Sequence, residues 1–381
     1  MKLLRRKGLL ATLAAGLLAA TGAQADVIKI GGIYSLSGPA APFGVPERDI
    51  VQALVDKANK EDTLNGHKIE LIICDEQTNP TEAARCVTRL VRQQGVVAIA
   101  GPTTGSGTLA AAPIAMQSKV PLLAPVGTIT VTDKANKFWP WVFRTAPSDV
   151  LIIDEVLKRG IFDPGHKRVA ILYQEDAYGE AGMKFAREQT EGTDAEIVAA
   201  VSAPLNAIDL TAAATNIRNA NPDVILLKTS APPLGASFVR AAKQVGIEAP
   251  IVGTGSLNQL PCLNAAGTAA EGIEIVSIGN WDDPSDRQKE LGEVIVAAGK
   301  QPQGYAELIG SMGIEMIFEA IRRIEGEVTG EKIRDALETI CDYDGTYMDG
   351  KVCYSADQHE GVFSDTLISV TVEDGKFKTI R

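Results

Sequence analysis

The sequence predicts an α/β protein built from two doubly wound, Rossmann-like lobes, each with a largely parallel sheet covered by helices. Three observations lead to this prediction. Short, continuously apolar runs rich in β-branched residues alternate with stretches of helical periodicity. The alternation breaks at a stretch rich in proline and aromatic residues, 137–149, and then starts again. The length of 381 residues is enough for two domains, each with its own core.

The first half contains four predicted strands and three predicted helices. The strands are expected at 27–33, 69–74, 96–100 and 121–125. The helices are expected at 47–60, 81–94 and about 106–118. Ile50, Val51 and Leu54 show the spacing of one helix face. Because the strands are apolar at consecutive positions, both faces of the sheet should be covered.

The second half repeats this pattern and then departs from it. Strands are expected at 168–173, 196–201, 223–228, 250–253 and 273–278, with helices at 149–159, 178–191, 210–220 and 233–245. Long helices at 305–324 and 331–340 and a final strand at 368–373 follow. Periodicity alone does not assign these late elements to a lobe.

Residues 1–25 have the pattern of a secretory signal peptide. Four basic residues precede a 12-residue apolar run, 9–20, and Ala23-Gln24-Ala25 matches a small-x-small cleavage site. The alternative, a membrane anchor, needs an apolar run of ~20 residues. We therefore expect an exported mature protein that begins at Asp26 and has a formal net charge of −15 instead of −11. We also expect this protein to be periplasmic and monomeric.

Charge and motifs argue against several classes of function. A strongly acidic protein is not expected to bind nucleic acid, because phosphate binding needs basic side chains. The sequence contains no GxSxG, HExxH or GxxxxGK[ST] motif, so neither an enzyme nor a metal or other cofactor is predicted. Residues 105–110 match GxGxxA, but the next strand does not end in the acidic residue that a dinucleotide site needs. We expect Asp75-Glu76 to be solvated loop charges and His359 to lie at the surface.

The five cysteines fit an exported protein with disulfides. Cys74 and Cys86 lie 12 residues apart, as do Cys341 and Cys353. We predict these two pairs, with Cys262 left over. The alternative is that one or both pairs remain thiols, because sequence spacing does not fix the distance between Cα atoms.

Small, polar and uncharged loops follow the strands, where open α/β sheets bind ligands. They are found at 34–39, 101–107, 126–128, 229–233 and 253–256. Amides at helix N-termini, with serine and threonine hydroxyls beside them, can bind a carboxylate without Arg or Lys. The alternative for each loop is ordinary helix capping. Likewise, Phe43, Tyr178 and Tyr305 either line a ligand cavity or pack in the core.

Several segments together resemble the periplasmic solute-binding proteins of branched-chain amino-acid (Leu/Ile/Val-type) ABC transporters. These segments are IKIGGIYSLSGPAAPFG (28–44), VVAIAGPTTGSGTLAAAPIA (96–115), VPLLAPVGT (120–128), VFRTAPSD (142–149), VAILYQEDAYGEAG (169–182) and AAEGIEIV (269–276). The resemblance covers essentially the whole mature chain. It implies the type I periplasmic binding protein fold, in which three hinge crossovers join the lobes. We expect lobe I to comprise 26–146 and 279–352, and lobe II to comprise 147–278 and 353–381.

The resemblance also implies a ligand site between the lobes and an inner-membrane ABC permease as partner. By position, Thr104, Gly105, Ser106 and Thr128 correspond to residues that hold the ligand carboxylate. Phe43, Tyr178 and Tyr305 correspond to aromatic residues around the ligand.

Two positions depart from the amino-acid-binding pattern. Gly255 replaces the glutamate that binds the ligand ammonium, and Ser230-Ala231 replaces a tyrosine. We therefore expect an aromatic or aliphatic acid without an α-amino group, in a pocket enlarged by the lost side chains. Asp176 or Glu175 could supply the missing charge, which keeps branched-chain amino acids and amides open. An exported enzyme and a sensory ligand-binding module are further alternatives.

Overall fold

Two β-sheets with helices on both faces form the protein. The computed structural model describes residues 26–380, so the predicted leader, 1–25, lies outside the described residues. No helix in the described part of the chain is long and apolar enough to cross a membrane.

The first sheet has five parallel strands in the order β2-β1-β3-β4-β5. They are β1 Val27–Tyr34, β2 Lys68–Asp75, β3 Ala98–Ala100, β4 Leu122–Ala124 and β5 Val142–Arg144. The helices of this lobe are α1 Ala41–Glu61, α2 Pro80–Arg89, α3 Gly105–Gln117, α9 Asp286–Ala297, α10 Tyr305–Arg323 and α11 Gly330–Leu337. The late helices return to this lobe because α10, buried along nearly its whole length, packs against α1.

The second sheet has seven strands in the order β12-β11-β10-β9-β8-β6-β7. They are β6 Arg168–Gln174, β7 Glu196–Ala203, β8 Val224–Lys228, β9 Ile251–Thr254, β10 Glu274–Ser277, β11 Ile368–Glu373 and β12 Lys376–Ile380. The helices are α4 Asp149–Leu157, α5 Ala177–Thr190, α6 Thr211–Asn219, α7 Pro232–Gln244 and α8 Leu260–Ala266. β6 to β10 are parallel, and β11 and β12 form an antiparallel edge.

The α/β class with two doubly wound lobes is confirmed, and four elements escaped sequence-based prediction. These are the three-residue strand β5, the edge strand β12, and the helices α8 and α9. The first helix also begins at Ala41 instead of residue 47, because Pro42 occupies its first turn, where no backbone N–H is needed. Phe43 is therefore a helix residue.

Three crossings of the chain join the lobes, at the ends of β5 and β10 and before β11. At the last crossing, Arg144 N donates to His359 O (2.8 Å) and Gly361 N donates to Arg144 O (3.3 Å). Tyr354 and Val362 still pack in the first-lobe core. We therefore propose that this crossing lies between Val362 and Ile368, later than the expected division at residue 353.

His359 lies just before this crossing and is buried against β5, contrary to the expectation of a surface position. Its ring stacks between Trp139 and Phe143, with centroid distances of 4.1 and 4.0 Å. Burial lowers the pKa of His359 to about 4, so the ring is neutral at physiological pH. Its role here is packing between segments that lie far apart in the sequence.

Both predicted cysteine pairs are confirmed as disulfides. Cys74 is bonded to Cys86, and Cys341 is bonded to Cys353. The first bond ties the end of β2 to α2. Cys262, in α8, is a buried free thiol.

Candidate functional site

A cavity lies between the lobes, at the carboxyl ends of strands from both sheets. Its volume is about 480 Å³, including the part open to solvent. Six of the nine residues predicted for the ligand site line it: Phe43, Gly105, Tyr178, Ser230, Gly255 and Tyr305. Eleven further residues complete the lining: Thr103, Pro125, Val126, Gly127, Ala146, Pro147, Asp149, Ile152, Thr254, Ser256 and Ile309.

The wall on the first lobe is a helix N-terminus with a free hydroxyl beside it. Thr104 caps α3, and its hydroxyl accepts a hydrogen bond from Gly107 N (3.1 Å). The Oγ1 atom of Thr128 is buried and has no partner among the described residues. Gly105 brings the two segments together, since an added Cβ would overlap the Thr128 hydroxyl. This arrangement suits an anion, because the α3 amides and the helix dipole point toward the loop.

Thr104, Ser106 and Thr128 are not among the residues that line the cavity, but all three adjoin it. Ser106 Oγ donates to Asp176 Oδ2 across the cleft (3.2 Å), so this residue joins the two lobes. The other oxygen of Asp176 caps α5, accepting from Tyr178 N (3.0 Å) and Gly179 N (3.1 Å). Both oxygens of Asp176 thus accept hydrogen bonds within the protein, so this residue is poorly suited to bind a ligand ammonium.

The aromatic residues form one side of the cavity. The rings of Phe43 and Tyr305 lie 6.1 Å apart, centroid to centroid. A Cβ added to Gly255 would lie 2.5 Å from the Tyr305 ring. Tyr305 therefore occupies the space beside Gly255, and the expected enlargement of the pocket at this position was wrong.

Ser230 is held by a polar network in the second lobe. Gln174 Oε1 accepts hydrogen bonds from Ser230 N (2.5 Å), Ser230 Oγ (3.1 Å) and Thr229 Oγ1 (3.1 Å). The amide nitrogen of Gln174 donates to Asp176 Oδ1 (2.8 Å). The end of β6 thereby fixes the loop after β8 and the start of α5 relative to each other.

A buried ion pair at the cavity escaped sequence-based prediction. Asp149 lines the cavity and is 1% exposed, and Lys228, at the end of β8, is 4% exposed. Lys228 Nζ donates to Asp149 Oδ1 and lies 3.2 Å from the centroid of the Tyr178 ring. Burial lowers the pKa of Lys228 to about 8, against the opposing effect of Asp149. The sequence does show a lysine at the end of a predicted strand, beside loops that are otherwise uncharged. Its partner could not be identified in this way, because Asp149 lies 79 residues away in the sequence.

Two further acids lie buried behind the first-lobe wall. Ser35 Oγ (2.8 Å) and Thr104 N (3.1 Å) donate to Glu76 Oε1, and Thr103 Oγ1 donates to Glu47. Burial raises the pKa of Glu76 to about 8. The expectation that Glu76 is a solvated loop charge was therefore wrong. These acids hold the loop that precedes α3.

Within residues 26–380, no group of three His, Cys, Asp or Glu side chains could hold a metal ion. Two α/β lobes, three crossings and a cavity lined from both sides define a two-lobed ligand-binding protein. The model of the periplasmic binding protein family matches residues 27–376. The chain belongs to that family, and its relatives include branched-chain amino-acid-binding proteins.

Known relatives extend over almost the whole chain. The leucine-, isoleucine-, valine-, threonine- and alanine-binding protein of Pseudomonas aeruginosa is 25% identical over 338 residues, which are 87% of this chain and 88% of the relative. LivJ from Streptococcus pneumoniae, solved in complex with isoleucine, has a TM-score of 0.81 at 25% identity and covers 93% of this chain and 99% of its own. A solute-binding protein from R. palustris, solved with 4-hydroxybenzoate, has a TM-score of 0.81 at 24% identity and covers 93% of this chain and 96% of its own. Members of this family bind small molecules and work with ABC permeases.

Proposed function

We propose that this protein is the periplasmic solute-binding component of an ABC importer and that it closes on a carboxylic acid without an α-ammonium group. One observation carries the proposal. The cavity keeps an anion site at the start of α3, whereas Asp149, the acidic residue in its lining, is already paired with Lys228. A ligand carboxylate would find donors there, and a ligand ammonium would find no acid in the cavity lining that lacks a cation.

Electrostatics support a simple acid over an amino acid as the ligand. Burying an ammonium without a counter-ion costs several kcal/mol. Gly255 provides no side chain, and Tyr305 fills the adjoining space. The α3 amides and the Thr128 hydroxyl can hold a carboxylate without a basic side chain. A simple acid therefore places no ammonium in the cleft without a counter-ion, in contrast to a zwitterionic amino acid.

Closure of the lobes is the proposed mechanism. The cavity wall comes from both lobes, so a ligand that contacts both walls favours the closed state by its differential affinity. Ser106 and Asp176 add a direct contact between the lobes. The closed form would then be presented to the permease.

Two measurements test this function. Mass spectrometry of small molecules released from protein denatured directly after periplasmic isolation should find a carboxylic acid. Titration calorimetry should give tighter binding for benzoate-type or aliphatic acids than for leucine. Tight leucine binding would overturn the proposed ligand class. The N-terminal sequence of the same periplasmic sample should begin at Asp26, and cytoplasmic retention would contradict export.

A second candidate is a branched-chain amino acid or an amide as ligand. It is favoured by the match to the P. aeruginosa protein, whose name records binding of leucine, isoleucine, valine, threonine and alanine. Under this alternative Asp149 would have to release Lys228 or share its carboxylate with the ligand ammonium. The same titration decides, because this candidate requires leucine to bind more tightly than its simple-acid counterpart.

A further inference from the structure

The Lys228–Asp149 ion pair is the charged feature of the cavity wall, and it leaves one atom unsatisfied. Asp149 Oδ1 accepts a hydrogen bond from Lys228 Nζ. Asp149 Oδ2 is buried and has no partner among the described residues. A buried carboxylate oxygen without a donor is costly, so this atom is a natural acceptor for a ligand group.

The second lobe is shaped to keep Lys228 on Asp149. The ammonium lies over the ring of Tyr178, 3.2 Å from its centroid. Gly182, one turn further along α5, makes room for the lysine stem, since a Cβ there would overlap Lys228 Cε. Strand β8 and helices α4 and α5 thus converge on one ammonium group.

Asp149 has a cation without any ligand, and the neighbouring carboxylate of Asp176 accepts hydrogen bonds from Ser106, Gln174 and Tyr178. Lys228 neutralises the carboxylate directly. Arg144 lies close by, donating from Nη1 to Gly127 O (2.6 Å), and has Glu360 as its own counter-ion (3.4 Å). An ammonium at Oδ2 would be an additional buried cation, whereas a hydroxyl can donate to the same oxygen without adding charge.

The position of Asp149 indicates where the ligand hydroxyl must be. Asp149 N donates to Gly127 O (2.8 Å). A Cβ on Gly127 would lie 2.7 Å from Asp149 Oδ1. The carboxylate of Asp149 is therefore next to the 126–128 loop, which carries the Thr128 hydroxyl of the anion site. A donor that reaches Asp149 from a ligand bound there would stand near the ligand carboxylate, as a hydroxyl on carbon 2 does.

Resting on the function proposed above, we propose that Lys228 determines the ligand class. Its ammonium takes the place on Asp149 that the ammonium of an amino acid would take, and Asp149 Oδ2 accepts the hydroxyl of a 2-hydroxy carboxylic acid. The ligand is then the counterpart of an amino acid in which a hydroxyl replaces the ammonium group. The cleft itself supplies the cation, which is the ammonium of Lys228.

Matched ligands test this inference by titration calorimetry on the mature chain. One series is 2-hydroxy-4-methylpentanoate, leucine and 4-methylpentanoate, and the other is mandelate, phenylglycine and phenylacetate. In the wild type, the hydroxy acid of at least one series should bind about tenfold or more tightly than both its amino and its deoxy counterparts. In Lys228→Met, the amino acid should gain about tenfold relative to the hydroxy acid, because Asp149 then has no cation.

Two further variants complete the experiment. Lys243→Met, which removes an exposed lysine of α7, should leave every ratio unchanged. If Lys228→Met is too unstable to purify, Asp149→Leu/Lys228→Met carries the test, because replacing both partners leaves no buried charge unpaired. In this double variant the hydroxy acid should lose its advantage over the deoxy acid.

The outcomes separate this inference from the proposed function. If no carboxylic acid of either series, nor benzoate, binds the wild type, the proposed function fails. If leucine or phenylglycine binds more tightly than its hydroxy counterpart, the proposed ligand class is overturned. If the wild type prefers the hydroxy acid but the Lys228 variants keep wild-type ratios, the role of Lys228 alone is overturned.

Discussion

The two walls of the cleft handle charge differently. The first-lobe wall has backbone amides with the buried hydroxyl of Thr128 beside them, and it contributes no charged side chain to the cavity lining. The second-lobe wall carries a buried ion pair, Lys228 and Asp149. The first-lobe wall therefore suits any carboxylate, because amides and a helix dipole interact with the carboxylate group and not with the rest of the ligand. The second wall can discriminate among acids by the group that approaches Asp149.

Removing one partner of the pair should have the largest effect. Asp149→Asn leaves the Lys228 ammonium buried without a counter-ion, and we expect the free energy of unfolding to fall by about 3–5 kcal/mol. Denaturant unfolding at pH 7 measures this change. The matched control is Asp49→Asn, which weakens the more exposed contacts with Arg48 (2.5 Å) and Lys300 (3.0 Å) and should cost about 1 kcal/mol or less. Equal losses in the two variants would mean that the second wall does not bury its charge.

Glu76 is buried behind the first-lobe wall, and it adds no negative charge there as long as it remains protonated. The pKa of Glu76 is raised to about 8 in the folded protein from an unfolded value near 4.5. The folded state therefore holds this proton more tightly, and stability falls as pH rises from 4.5 to 8. Glu76→Gln should reduce that slope by up to about 1.4 kcal/mol per pH unit. Denaturant unfolding across this pH range measures it.

Exposed Glu70 provides the control for this experiment, since Glu70→Gln in the same lobe should leave the slope as it is. An unchanged slope in Glu76→Gln would mean that Glu76 is ionised in the folded protein. The first wall would then carry a negative charge behind its anion site, and the contrast between the walls would be lost.

The anion site of the first wall can be tested directly. Ser106→Ala/Thr128→Ala removes two hydroxyls beside the α3 N-terminus and should weaken carboxylate binding about 100-fold or more, with the fold intact. Calorimetry with benzoate and circular dichroism together measure this. Thr190→Ala, which removes a buried hydroxyl of α5 away from the cavity, should bind normally. Unchanged affinity in the double variant would place the ligand carboxylate elsewhere.

The contact between the walls should have the smallest effect. Asp176→Asn keeps the cap of α5, because asparagine caps as well as aspartate, but weakens the charged hydrogen bond from Ser106. We expect about fivefold weaker ligand binding, as measured by calorimetry, with the free energy of unfolding nearly unchanged. A loss as large as that of the hydroxyl variant would show that Asp176 contacts the ligand itself.

Sequence-based prediction succeeded where a local signal was strong. Strands β1 and β2 were predicted to within one residue at each end, because continuous apolar runs between polar loops define buried parallel strands. The two disulfides followed from an equal spacing and an exported context. Strand β5 was missed because three residues are too few to show a period.

The same reasoning failed where burial depends on distant segments. Glu76 and His359 lie among polar neighbours in the sequence, yet the fold buries both of them. Ser35 and Thr104 donate hydrogen bonds to Glu76, and the rings of Trp139 and Phe143 stack on His359. No local pattern reveals such partners.

The sequence by itself predicted the two-lobed α/β class, the cysteine pairs and most of the loops that line the cleft, because these predictions rest on periodicity, spacing and turn composition. Only the tertiary structure decided the charges inside the cleft. Lys228 and Asp149 stand at the ends of different elements, and each alone resembles an ordinary surface charge in the sequence. Folding removes both from water and leaves each as the other's counter-ion, so their chemistry is a property of the packed pair.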